Sequence, residues 1–170
     1  MRSIRGRRAS SNEPLGRMMD KFSKETRTRI MSSIHSRDTL PEIIVRKWLW
    51  AHGWRFRVQY KKVPGHPDVA IPKIRTLIEI RGCFWHQHRG CPDATVPKTN
   101  RAFWTKKFRA NRARDARYEK EWAELGWNLI VIWACGLKTA EARERTFERL
   151  EKWLAECSTD ACDEWGATMK

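Results

Sequence analysis

The sequence has no apolar run near the roughly 18 residues a membrane-spanning helix needs, so membrane insertion is not expected. "MRSIRGRRAS" is positively charged at the start, but no hydrophobic segment follows it, so it does not read as a secretory signal. Nor are the cysteines those of a secreted disulfide framework. There are five, an odd count, and several lie among histidines. That favours reduced thiols in a cytosolic compartment, some of them on a metal. No internal repeat is visible. Acidic residues are in the minority, with 20 Asp and Glu against 35 Lys and Arg, a net charge of +15 and a pI near 10.2. Such an excess points to a polyanionic partner, because Lys and Arg release counterions from a phosphate backbone.

What is present fits one domain with tails: 170 residues and ten tryptophans, most for a core and some free to stack on bases. Residues 1–22 are Arg- and Ser-rich with few apolar anchors, the composition of a disordered basic tail. The domain is expected over 23–156, with a second tail over 157–170. Ser23 caps a basic amphipathic helix over 23–37. Thr39 and Pro41 open a second, with Ile44, Val45, Trp48 and Leu49 at helical spacing and Gly53 at its end. The period then falls to two: Trp54, Phe56, Val58 and Tyr60 alternate with polar residues, which predicts a half-buried strand. After the turn "VPGHP", the runs "DVAI" and "TLIEI" predict a hairpin across Pro72-Lys73. The stretch "RGCFWHQHRGC" (81–91) leads into a loop. A charged helix spans about 100–125, "WNLIVIW" (127–133) reads as a strand buried on both faces, and a last helix covers about 139–156. The order α-β-β-β-α-β-α is an α/β layout, a mixed sheet flanked by helices.

Two clusters carry chemistry. Cys83, His88 and Cys91 are soft ligands within one loop, and Cys135, just beyond the buried strand, is the best-placed fourth. Three thiolates and an imidazole suit a closed, tetrahedral structural Zn2+ site. His86 competes with His88, while Cys157 and Cys162 read as ordinary thiols. Asp68, after Pro67, and Glu79, in "EIR", can meet on one side of the hairpin. Paired carboxylates of this kind bind a hard cation such as Mg2+, which can stabilise charge on a scissile phosphate.

"MSSIHSRDTLPEIIVRKWLWAHGWRFRV", "PGHPDV", "GCFWHQHRGC", "PKTNRAFWTKKFRANRARD" and "LGWNLIVIWAC" together resemble the very short patch repair (Vsr) endonucleases over about residues 24–137. The resemblance implies a restriction-endonuclease-like, PD-(D/E)xK core and nicking of duplex DNA beside T:G mismatches left by deaminated 5-methylcytosine. It implies Asp68 as the metal-binding catalytic aspartate, His86 as general base, and Glu42 as an orienting carboxylate. It repeats Cys83, His88, Cys91 and Cys135 as zinc ligands. It assigns Phe84, Trp85 and Trp104 to a wedge that enters the base stack, and Arg27, Arg29, Met31 and His35 to a helix that clamps the opposite groove. It further implies a monomer in the bacterial cytoplasm, on nucleoid DNA, cooperating with the mismatch-repair proteins MutS and MutL.

The chain departs from the family at Glu79 and Arg81, where the family carries an apolar residue and His or Asp. Either Glu79 is a second metal-binding carboxylate and Arg81 holds the attacked phosphate, or the two form a structural ion pair while the Ile80 carbonyl completes the magnesium site. Two other functions remain in play: a restriction-like endonuclease that reads an intact sequence, and a zinc-stabilised DNA-binding module without catalysis.

Overall fold

The computed structural model describes Glu25, Thr26, Arg29 and residues 37–158. The chain divides into Met1–Ile34 and His35–Lys170. In the first part the three described residues are helical, within the helix expected over 23–37.

Helix α1 (Leu40–Ala51) begins where Thr39 and Pro41 predict. Glu42 closes a capping box, accepting the Thr39 hydroxyl at 2.7 Å and the Thr39 N–H at 3.4 Å. Such a cap satisfies amides that no helical carbonyl reaches. The hairpin forms as expected, from β1 (Val69–Ile71) and β2 (Thr76–Arg81), joined by a tight turn at Pro72–Ile74 and a left-handed Arg75. β3 (Asn128–Trp133) adds in parallel, with Thr76 opposite Asn128 and Arg81 opposite Trp133. The strand order is β1-β2-β3, so β2 is central.

Alternation along the strands sends side chains to two faces. Val69, Ile71, Ile78, Ile130 and Ile132 meet Val45 and Leu49 of α1 and Leu150 and Leu154 of α4 (Ala140–Ser158). Ala70 and Leu77 face the other way, onto Val63 and Trp122 of α3 (Arg101–Glu124), with Trp127 and Leu129 packed alongside. Each fully buried Leu or Ile contributes about 1.5–3 kcal/mol, so both layers are firmly held. The helix-flanked mixed sheet and the doubly buried third strand are as read from the sequence.

The strand expected over 54–60 does not form. Within that segment only Arg57 pairs, in a single bridge to Ala70 at the open edge of β1. The apolar residues of the segment do not share one face: Trp54 and Phe56 pack with the α1/α4 core, whereas Tyr60 packs with the α3 core. Gln59 at φ +49° takes the chain around the sheet edge between them. The following turn is pinned to α3. Trp122 Nε1 donates to the Pro64 carbonyl at 2.8 Å, and a Cβ on Gly65 (φ +80°) would lie 2.9 Å from the Tyr118 ring. That close fit fixes the chain just ahead of Asp68.

Candidate active site and metal cluster

Carried one residue past the Val69–Ile78 pair, the β1–β2 register sets Asp68 opposite Glu79 on one face of the sheet. Asp68 Oδ2 accepts the Ile80 N–H at 2.8 Å. Burial pushes the Asp68 carboxyl up to about 6, although that hydrogen bond opposes the shift. Burial and the charge of Asp68 push Glu79 up to about 7, against the pull of Arg81. Two buried carboxylates this poorly compensated form a hard-oxygen pair that a divalent cation fits, with Ile80 directly after Glu79 in the chain and its N–H on Asp68.

β2 runs directly into a one-turn helix, α2 (Cys83–His86), inside the stretch expected to lead into a loop. His86 Nδ1 lies 2.5 Å from Asp115 Oδ2 on α3. Burial raises the Asp115 carboxyl, but the His86 hydrogen bond and the charges of His86, Arg81 and Arg114 outweigh it, and the net shift is downward. An ionised carboxylate only accepts, so His86 Nδ1 carries the proton and donates it. In the neutral ring Nε2 then keeps its lone pair, as a base requires. One turn before Asp115, Asn111 Nδ2 donates to the Trp85 carbonyl at 3.0 Å. One turn after, Glu119 accepts from Arg81 Nη1 at 2.7 Å. A stripe of α3 thus grips residues 81–86 at three points.

The three expected wedge rings come together. Phe84 stands edge-on to Trp85 (5.1 Å) and Trp104 (5.3 Å), and Trp85 lies 6.1 Å from Trp104. Buried Phe108 backs the group, and Phe103, 62% exposed, leans on Trp104 at 5.3 Å. The Glu42 carboxylate, expected beside water or the histidine, accepts from Thr39, the Asp38 N–H and Arg46, and its charge raises Asp68. Of the expected groove-clamping residues, Arg29 is helical and exposed, while Arg27, Met31 and His35 lie outside the described residues. Cys162 does too; Cys157 falls within α4, which runs to Ser158.

The ligand atoms of Cys83, His88, Cys91 and Cys135 all lie within 4.8 Å of one another, so the chain end after β3 does reach the loop. His86 is not among them. The His88 ring stacks flat on Trp133 at 4.1 Å, which sets its orientation. Burial pushes the Cys83 thiol up to about 12. Three thiols and an imidazole crowded together match the donor set of a soft cation such as zinc, whose charge offsets ionising them.

The chain matches the family described as DNA mismatch endonuclease Vsr over residues 19–93. It is 39% identical over 139 residues to the DNA mismatch endonuclease Vsr of Escherichia coli, covering 81% of this chain and 88% of that enzyme. The chain belongs to the Vsr family. Relatives that carry another name are as similar. The Type II nicking enzyme V.NmeAIP of Neisseria meningitidis is 41% identical over 129 residues, covering 75% of this chain and 91% of that enzyme. V.XorIIP of Xanthomonas oryzae, also named a Type II nicking enzyme, is 42% identical over 127 residues, covering 75% and 93%.

Sequence reasoning missed Asn111, Asp115 and Glu119. A signal was there for the first two. Both fall on the helical stripe of Phe108 and Trp122, where α3 faces inward, and polar residues on such a stripe need partners.

Proposed function

We propose that this Vsr-family chain is a magnesium-dependent endonuclease that nicks one strand of duplex DNA beside a T:G mismatch, on a restriction-endonuclease-like core stapled by zinc. One observation carries the reading: His86, oriented by Asp115, follows directly on Phe84 and Trp85. Rings that enter a base stack and a base that serves the adjacent phosphate are thereby joined by a single peptide bond. Separating a stacked step costs roughly a few kcal/mol, and less where the pair is already weak, which favours a mismatch.

Asp68, Glu79 and the Ile80 carbonyl would hold the cation. When bound, it supplies positive charge that stabilises the phosphoryl oxygens. His86 Nε2 takes the proton of the attacking water, the new P–O bond forms, and the P–O bond to the departing strand end breaks. Exposed Lys and Arg along α3 neutralise the DNA backbone, and the proposed clamp of Arg27, Arg29, Met31 and His35 grips the opposite groove. Cys83, His88, Cys91 and Cys135 tie the end of β3 to the loop that carries wedge and base.

A second reading, nicking at an intact sequence, is favoured by the relatives named Type II nicking enzymes, at 41–42% identity against 39% for the mismatch enzyme. The test is nicking of a T:G duplex against its matched twin in several sequence contexts. Preference for the mismatch supports the first reading, and equal nicking of both supports the second.

A further inference from the structure

Arg81 is 8% exposed, and its guanidinium is only half used. Nη1 donates to Glu119 Oε1 at 2.7 Å. Nε and Nη2, which form the side-on fork, are buried and have no hydrogen-bond partner. A guanidinium keeps its charge and has no acceptor atoms, so a bare buried fork needs an acceptor brought to it.

Two acceptors are in question. A phosphate held in a duplex cannot reach nitrogens that present no surface. Glu79, two residues back on β2 and on the same face, already has Oε2 at 3.7 Å from Nε. We propose that Arg81 is a positioning residue for Glu79, and that Glu119 in turn positions Arg81. A small rotation of the Glu79 carboxylate closes the gap to two parallel N–H···O bonds, the geometry in which arginine holds a carboxylate best. Glu79 is then fixed as an oxygen donor, with its remaining lone pairs turned toward Asp68. Glu119, 34% exposed on rigid α3, anchors the far edge of the guanidinium. The relay rests on the reading of Asp68 and Glu79 as a divalent-cation site, and it assigns Arg81 no contact with DNA.

The test is Mn2+ binding to the zinc-loaded full chain without DNA, followed by loss of the free-ion paramagnetic resonance signal. Arg81→Lys keeps the charge but not the fork, and is expected to weaken Mn2+ binding roughly tenfold or more. Glu119→Gln, a milder and partly exposed change, is expected to weaken it less. On a Glu79→Gln background, Arg81→Lys is expected to add nothing. An equal loss with and without Glu79 would overturn the relay and make Arg81 a structural ion-pair partner. Weakened DNA binding with unchanged Mn2+ affinity would overturn it in favour of phosphate contact. Asp68→Ala separates the two levels: if it leaves Mn2+ affinity unchanged, the cation site itself is misassigned and the relay falls with it.

Discussion

His86 and Asp115 meet at 2.5 Å, from a one-turn helix after the central strand and from the middle of the long helix α3. The carboxylate fixes which imidazole nitrogen carries the proton and steadies the charge that forms when the ring accepts another. Asp115→Asn keeps the size but can present an amide N–H to Nδ1, reversing the tautomer. It is expected to lower single-turnover nicking by roughly 10²- to 10⁴-fold while leaving DNA affinity nearly unchanged. A rate within threefold of the parent would remove Asp115 from the reaction.

The aromatic group predicts a split between binding and discrimination. Trp104→Ala removes a ring packed on Phe84 and Trp85 but leaves His86 and Asp115 in place. Ring–base stacking is worth about 1–3 kcal/mol, so the ratio of mismatched to matched nicking is expected to fall roughly 5- to 150-fold. Matched-duplex nicking should change little. A uniform loss on both duplexes would mean that Trp104 supports the fold instead.

Much of this was legible in the sequence because it rested on local pattern. The hairpin showed in two short β runs around Pro72, and the four soft ligands showed by chemistry alone. The segment 54–60 misled for a physical reason: alternation reports which residues are buried, not that they lie on one sheet face. Here the chain wraps an edge and its aromatics split between two cores. Glu119 was invisible for another reason. Its partner lies 38 residues away, and on a helix so rich in charge an acidic residue off the buried stripe looks solvated.

The buried carboxylates predict a pH dependence with a definite sign. Folding raises both, so the folded chain binds protons more tightly than the unfolded one. Their contribution to stability is full below about pH 4 and is lost as pH rises through about 6 for Asp68 and about 7 for Glu79. Glu79→Gln mimics the protonated form at every pH. Its stability advantage over the parent, without magnesium and with zinc bound, is expected to grow from pH 5.5 to 8 and approach about 3 kcal/mol, at about 1.4 kcal/mol per pH unit. A difference that stays flat with pH in thermal melts would contradict the burial of Glu79.

Metal analysis tests the staple. The purified protein is expected to carry one zinc, and Cys135→Ser or a strong chelator is expected to lower the melting temperature by roughly 10 °C or more. Cys157→Ser is expected to change neither zinc content nor melting temperature appreciably. Full stability without zinc would mean the four ligands are merely packed thiols and a histidine.

The most direct test of the central claim is single-turnover nicking of a T:G duplex and its matched twin with magnesium, by the parent chain and by Asp68→Ala. The account predicts that the parent cuts one strand of the mismatched duplex at least tenfold faster, and that Asp68→Ala cuts neither duplex measurably, a loss of roughly 10³-fold or more. Equal cutting of both duplexes would contradict the mismatch reading. Undiminished cutting by Asp68→Ala would contradict the site itself.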